Sequence, residues 1–389
     1  MDRQAAKAAV IDHVDRHADD LVAISHQIHD HPELCFEEHF AHQILTEAIE
    51  RHGLTVQRHA FELDTAFVAE VGEGGPNIGV CCEYDALPGL GHACGHNIIA
   101  AAGLGAGLAA ASIADQMAGR VTILGTPAEE GGGGKVFMIE RGAFAQIDAA
   151  MMVHPAAFEL LSMSTIAIQR LRVGYTGAAA HAAAAPEQGR NALDAAVLGY
   201  NNVAALRQHI LPEERIHGIF TEAGDKPNIV PERAAAEWYV RSPTLETLQP
   251  LKERVLRCLR AGAEAADCEM EYHWEEPAYA DMVDSDPLLG CYADNAATLG
   301  RTPTAPTTQA TVVGSTDMGN VSYEVPSIHP MIKVAPDGSA IHTTAFARHA
   351  RSSDGDQAVL DGAKAMAMTI VDLWSDTSIL DAARVAHRP

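Results

Sequence analysis

Positive charge is scarce in this chain. Its 389 residues carry 27 Lys and Arg against 52 Asp and Glu, a formal net charge of −25. Such a balance argues against nucleic acid or an anionic membrane as a partner. The surplus acid reads as solubility, ahead of any steering of substrate. Long apolar runs are also missing. The one membrane candidate, Ile98 to Ala114, is short for a span and mostly Ala and Gly, which makes it a core helix. The seven cysteines follow no disulfide spacing, and Cys81 and Cys82 are neighbours, so reduced thiols and a cytoplasmic setting are expected. Met1 to His13 is charged and has no apolar core, so no secretory signal is expected. Repeats and low-complexity linkers are absent. What remains is a chain with 47% apolar residues, long enough for two domains and a sizeable core.

The most informative stretch runs from Glu83 to Asn97, Glu-Tyr-Asp-Ala-Leu-Pro-Gly-Leu-Gly-His-Ala-Cys-Gly-His-Asn. An apolar run before it, Asn77 to Cys82, reads as a buried strand, and Ile98 to Ala111 after it reads as a buried helix. Open α/β sheets hold ligands in the crevice beyond their strand ends. Cys94 and His96, one glycine apart, could reach one ion from a tight turn. The bland alternative is a turn with a buried free cysteine. Later strand ends favour the metal. Val121 to Pro127 is a strand running into Ala128-Glu129-Glu130 and four glycines, which let backbone approach a ligand closely. A phosphate loop is the rival reading, but Gly134-Lys135 lacks a following Ser or Thr and the acidic pair would repel phosphate. Asp148 to Val153 repeats the design, with His154 at the end.

Around these motifs, residues 2–30 read as helix, and Pro32 breaks the pattern within His29-Asp-His-Pro-Glu33. The histidines there have no evident metal partner. Residues 39–52 resume a helix, and Phe61 to Val71 is expected to form strands. From Thr165 the pattern changes. Strands are expected at 165–175, 215–223, 234–242 and 268–274, with helices at 191–210 and 245–261. That β-α-β-β-α-β order is the ferredoxin-like unit, antiparallel with helices on one face. It sits as an insertion, because α/β character returns after Asp281 through Val312 to Gly319, His329 to Val334 and His342, to a helix over 357–374.

The motifs His29-x-His-Pro-Glu33, Glu83-Tyr-Asp-Ala-Leu-Pro88, His92-Ala-Cys-Gly-His96, Pro127-Ala-Glu-Glu130, His154-Pro155, Ala180-His-Ala182, Pro227-Asn-Ile-Val-Pro231 and a late His342 occur in one order along nearly the whole chain. In this the chain resembles the metal-dependent amidohydrolases of peptidase family M20, subfamily D. These include aminoacylases, indoleacetyl-amino-acid hydrolases, aminobenzoyl-glutamate hydrolases and certain dipeptidases. The resemblance implies a zinc-peptidase-like α/β catalytic domain, here 1–164 and 279–389, with an inserted ferredoxin-like α+β lid and dimerisation domain, here 165–278. It implies a homodimer and two divalent metal ions, Zn or Mn, held by Cys94, His96, Glu130, His154 and His342, with Cys94 between the metals. Glu129 would be the general base and Asp85 a carboxylate behind a ligand histidine. His181 would reach a neighbouring subunit's site or, more blandly, cap the lid within its own subunit. Asn228 and Arg241 match positions that hold a substrate carboxylate, with a surface ion pair as the alternative for Arg241. The implied substrate is a small N-acyl amino acid or dipeptide-like amide with a free carboxylate. The rival of a different class, a metal-retaining binding protein, would be favoured by loss of Glu129, which is present. Two positions depart from the commonest pattern. Asn97 and Glu83 stand where many members carry Asp, as in the branch with aminobenzoyl-glutamate hydrolases and β-alanyl or lysyl dipeptidases.

Overall fold

A computed structural model describes residues 1–307 and 313–387. Val312 of the expected return segment lies outside the described residues. Two compact units emerge: Met1–Ser164 together with the chain from Met282 onward, and Thr165–Asp281.

The first unit opens with helices α1 (Arg3–Arg16), α2 (Ala18–Asp30) and α3 (His39–Arg51). The expected single helix over 2–30 is thus two. It breaks at His17, whose φ of −109° and ψ of 16° leave the helical region, and Asp19 and Asp20 supply acid to the first turn of α2. The strands are β1 (Gln57–Arg58), β2 (Phe67–Val71), β3 (Asn77–Glu83), β4 (Arg120–Thr126) and β5 (Ala149–Met151), joined by Ser327–Ile328. The expected strand from Phe61 starts only at Phe67. His59, Phe61 and Glu62 take positive φ, and His59 Nδ1 closes the turn on the Asp64 carbonyl at 2.5 Å. The sheet order is β1-β2-β4-β3-β5 and then Ser327–Ile328, with β3 parallel to both β4 and β5.

Helix α4 (His96–Ala111) follows β3, and its residues from His96 to Ala110 are all buried. Small residues are what make that possible. A Cβ on Gly103 would sit 2.8 Å from the Cys81 carbonyl, and one on Gly107 would sit 2.4 Å from Ile123. The long helix Ser353–Ser375 covers α4, with Ala363 close against Gly105. One apolar cluster joins α1 to α4, the sheet and this helix.

The second unit is a four-stranded antiparallel sheet in the order Glu269–Tyr279, Ala167–Thr176, Arg233–Ser242, Arg215–Glu222. Burial alternates residue by residue along the two central strands, as expected for a sheet covered on one face. Helices Ala192–Leu206 and Leu245–Ala265 pack together where Gly262 meets Gly199. The Asn191 side chain caps the first, and Thr244 the second. Leu171, Trp238, Val240, Leu251 and Leu259 fill its separate core.

Candidate metal and active site

The turn after β3, the segments after β4 and β5, and the loop before the helix Thr344–His349 bring the expected ligands of the first unit together. The turn Cys94-Gly95-His96 sits between β3 and α4. Gly95 has φ of 81°, and a Cβ there would strike Pro155 at 2.5 Å. Only glycine permits both the left-handed turn and that close approach, which presses Cys94 and His96 against His154-Pro155. Cys94 Sγ lies 3.4 Å from His154 Nε2. His154 Nδ1 donates to the Pro155 carbonyl at 2.8 Å, so its Nε2 carries the lone pair. Burial, helped by His96, lowers His154 to about 4, so this ring is neutral.

Asp85 organises the other side. Its Oδ1 accepts from His96 Nδ1 at 2.9 Å, and its Oδ2 accepts from the Glu130 backbone N–H at 2.8 Å. One carboxylate thus fixes the tautomer of His96 and the place of Glu130. Burial opposes its charge, but the His96 ring and the Glu130 N–H hold Asp85 down to about 2. His96 Nε2, fully buried, has no hydrogen-bond partner among the described residues. It faces Glu129 Oε2 at 4.0 Å and Glu130 Oε1 at 3.9 Å. His342 Nε2 stands 3.3 Å from Glu130 Oε1. His342 is a non-glycine residue with φ of 61°, and so is Ala128 just before the glutamate pair. Strain of this kind concentrates at functional sites.

Among the described residues, donor atoms within 4.8 Å of one another form four triads here, His96-Glu129-Glu130 and Glu83-Glu129-Asp317 beside two that hold all five expected ligands, Cys94-His96-His154 and Cys94-Glu130-His342. The latter two share Cys94, so the five expected ligands divide around one thiol. The charges fit cations. Burial opposes a charged His96, yet Asp85 and the Cys94 thiol raise it well above its ordinary range. Burial and then Glu130 raise Cys94 well above the usual thiol range. Burial, Glu83 and Glu130 raise Glu129 well above the usual carboxylate range. Burial among negative neighbours thus holds Cys94 and Glu129 towards their protonated forms, and Asp85 and Cys94 do so for His96; a divalent ion bound there would favour the deprotonated forms instead. The donor set fits the expected metals.

Sequence reading missed what stands behind the site. Lys135 Nζ is fully buried between Glu83 and Asp317, bonding Asp317 Oδ1 at 2.7 Å and Glu83 Oε2 more closely still. Its backbone N–H also donates to Asp317 at 2.9 Å. The lysine that raised a phosphate loop is therefore committed to carboxylates, and Glu83 gains a partner for its departure from the family's usual Asp. Burial opposes the Lys135 charge, but Asp317 and Glu83 overcome it and raise the ammonium. Asn97 has a similar account. Its Nδ2 donates to Ser25 Oγ and to the Ala350 carbonyl, both at 2.9 Å, a bond to carbonyl that an aspartate could not make. Glu38 accepts from the Ala128 N–H at 2.9 Å and from Thr65 at 2.7 Å, steadying the turn before Glu129. Burial, then Asp85, raises Glu38 to about 7 against its hydrogen bond from Thr65. The adjacent Glu37-Glu38 pair was a possible signal, but no local pattern marks which glutamate turns inward. His29 bonds the Ala347 carbonyl at 2.8 Å, and Glu33 caps α3 through the N–H groups of Phe40 and Ala41.

The remaining expected residues lie in the second unit. His181 is exposed, and its Nδ1 accepts from the Ala183 and Ala184 N–H groups at 3.2 and 3.1 Å. The proton of the neutral ring is therefore on Nε2, leaving an outward donor. Asn228 is beside it, because the Ala182 N–H donates to the Asn228 carbonyl at 3.0 Å. Arg241 is not beside them. It pairs with Ile168 and Arg215, while Arg233 at the other end of its strand pairs with Thr176. The eight residue steps from Arg233 to Arg241 span about 26 Å at the usual strand rise. The buried Nε of Arg241 has no hydrogen-bond partner among the described residues. Burial lowers its guanidinium, with Tyr239 opposing and Arg170 adding to the shift.

Comparison with known proteins adds an independent line. The model of Peptidase family M20/M25/M40 matches residues 80–372. A mouse Xaa-Arg dipeptidase is 40% identical over 97% of this chain and 91% of its own length. A p-aminobenzoyl-glutamate hydrolase chain of Escherichia coli strain K12 is 30% identical over 94% of this chain and 91% of its own. Among solved structures, a Bacillus subtilis dinuclear metal-binding peptidase of the M20 family shares the fold. Its TM-score is 0.72 at 20% identity, covering 92% of this chain and 99% of that one. With the family model spanning most of the chain and full-length relatives at 30% identity and above, the chain belongs to Peptidase family M20/M25/M40 and is a metal-dependent amidohydrolase.

Proposed function

We propose that this enzyme hydrolyses the amide bond of a small N-acyl amino acid or dipeptide-like substrate with a free carboxylate. The observation that carries this reading is the pair of donor triads sharing Cys94, with Glu129 at their edge. Two divalent ions, Zn or Mn, held by Cys94, His96, Glu130, His154 and His342, would supply Lewis acidity for the carbonyl and for a nucleophilic water. Thiolate and imidazole donors suit zinc, while the carboxylate leaves manganese open.

The chain's own residues do the rest. Asp85 holds the His96 ring and the Glu130 backbone in place, so the pocket is set before substrate arrives. Glu129 takes the proton of the attacking water and hands it to the leaving nitrogen. Its buried, carboxylate-lined surroundings favour a base that accepts a proton readily. The His181 Nε2–H stabilises the oxyanion, acting on a partner subunit's site in a homodimer. Support for the dimer is the open edge strand Arg215–Glu222, where Ile219 is 66% and Phe220 39% exposed. Asn228 sits beside His181 and assists in gripping the substrate. Arg241, desolvated and with its Nε unsatisfied, is a separate candidate for a carboxylate. The seven free cysteines support a cytoplasmic setting.

A dipeptide ending in Arg is the first substrate to test, given the relative that is 40% identical over nearly the whole chain. An aminobenzoyl-glutamate type amide is the second, from the 30% identical relative. The test is a mass-spectrometric screen of metal-loaded protein against N-acyl amino acids, dipeptides and aminobenzoyl-glutamate. Release of free amino acid, fastest from Xaa-Arg dipeptides, is expected. Cleavage of none of these amides would overturn the reading.

A further inference from the structure

A second cluster of metal-type donors lies where two helices end. His13 is in the last turn of α1, His17 follows it four residues later as the helix's C-terminal cap, and His52 caps the C-terminus of α3. The rings crowd together, with centroids 4.8 Å apart for His13 and His17, 4.7 Å for His17 and His52, and 5.8 Å for His13 and His52. One ring nitrogen from each lies within 4.8 Å of the other two. His52 Nδ1 donates to the Ala48 carbonyl at 2.9 Å, so its Nε2 carries a lone pair. That Nε2 is buried and has no partner among the described residues. The same holds for Nε2 of His13, a residue only 9% exposed. A ring nitrogen with a free lone pair, whose other nitrogen donates to a carbonyl, is the usual state of a ligating histidine.

The surroundings favour a cation. Two helix C-termini, with their partial negative charge, converge on the rings, against the one N-terminus of α2 that starts from His17. Asp20 lies 3.9 Å from His17 Nδ1. The neighbouring Arg16 is engaged by Asp12 at 2.9 Å. Ligand nitrogens about 2.1 Å from a tetrahedral ion stand about 3.4 Å apart, so modest ring rotations complete the site. His17, with its side chain 30% exposed, gives the ion a way in and leaves room for a water ligand.

We propose that His13, His17 and His52 bind a divalent transition-metal ion of the zinc, copper and nickel class at a site separate from the amide-hydrolysing centre, pinning the α1–α2 junction to the end of α3. Imidazole triads suit these ions. None of the three residues belongs to the family motifs, and the inference does not depend on the substrate.

The test is calorimetric titration of Zn(II) into protein whose catalytic sites are already loaded, with elemental analysis after gel filtration. Wild type should take up one further equivalent. His17→Ala and His52→Gln should bind that equivalent at least about 100-fold more weakly, the upper range for lost outer partners of a metal site. Both should keep their amide hydrolysis and circular dichroism. His17 is partly exposed, so its variant decides the matter if His52→Gln does not fold. No further equivalent in wild type, or the same uptake and affinity in a folded His17→Ala, would overturn the proposal.

Discussion

Glu129 and Glu130 are adjacent, yet the geometry gives them different surroundings. Glu130 has its backbone on Asp85 and its carboxylate beside His342, whereas Glu129 faces His96 and lies near Glu83 and Asp317. Glu129→Gln should keep metal and fold while turnover falls roughly 10²–10⁴-fold, the usual contribution of a general base. Glu130→Gln should lose metal instead. Elemental analysis beside initial rates separates the two, and exchanged phenotypes would mean the roles are reversed. Lys135 makes a stability prediction at the same scale. Lys135→Met strands Glu83 and Asp317 as buried carboxylates, and breaking such a group typically costs about 3–5 kcal/mol. Urea unfolding should show that loss, and adding Glu83→Gln should recover part of it. A variant as stable as wild type would mean the carboxylates are protonated without the lysine.

Elements were legible where pattern and burial agree. β3, α4 and β4 declare themselves because each has an apolar, buried middle, and the ligand-type residues cluster at or just beyond their ends. In the ferredoxin-like unit the two central strands alternate in burial, whereas the edge strands Arg215–Glu222 and Glu269–Tyr279 do not. The break at His17 and the turn at Phe61 were not legible, since each depends on backbone angles or on a hydrogen bond made only after folding. Asp85, His96 and Glu130 could be read from motif and strand-end logic. Lys135 with Asp317 could not, because the pair is separated by 182 residues and no local spacing joins them. Gly95 is the element-scale test of the site. Gly95→Ala forces a left-handed alanine, costing about 1–2 kcal/mol, and drives its methyl into Pro155. Stability and metal retention should fall together, and unchanged metal content would show that the turn does not place Cys94 and His96. Acid sensitivity also belongs here. Burial, with His59 and Arg58, lowers His42 from 6.5 to about 4. The folded ring binds fewer protons than the unfolded one, so its stabilising contribution is complete above pH 6.5 and is lost as pH falls towards 4. The Tm should drop across that window, and less steeply in His42→Gln.

For the whole molecule, the shared-site reading of His181 predicts complementation. Glu129→Gln and His181→Ala, each inactive, are unfolded and refolded together. If His181 serves the partner subunit, each mixed dimer holds one intact site, and about a quarter of wild-type activity returns with random pairing. If it serves its own chain, confirmed mixed dimers stay inactive. Metal dependence underlies every part of this account, and one titration tests it most directly. Protein stripped of metal by prolonged chelation is titrated with Zn(II) or Mn(II) while hydrolysis of an Xaa-Arg dipeptide is followed. The account predicts no hydrolysis in the stripped protein and activity that rises with ion added to a plateau. Full hydrolysis by protein that elemental analysis shows to be free of transition metal would contradict it.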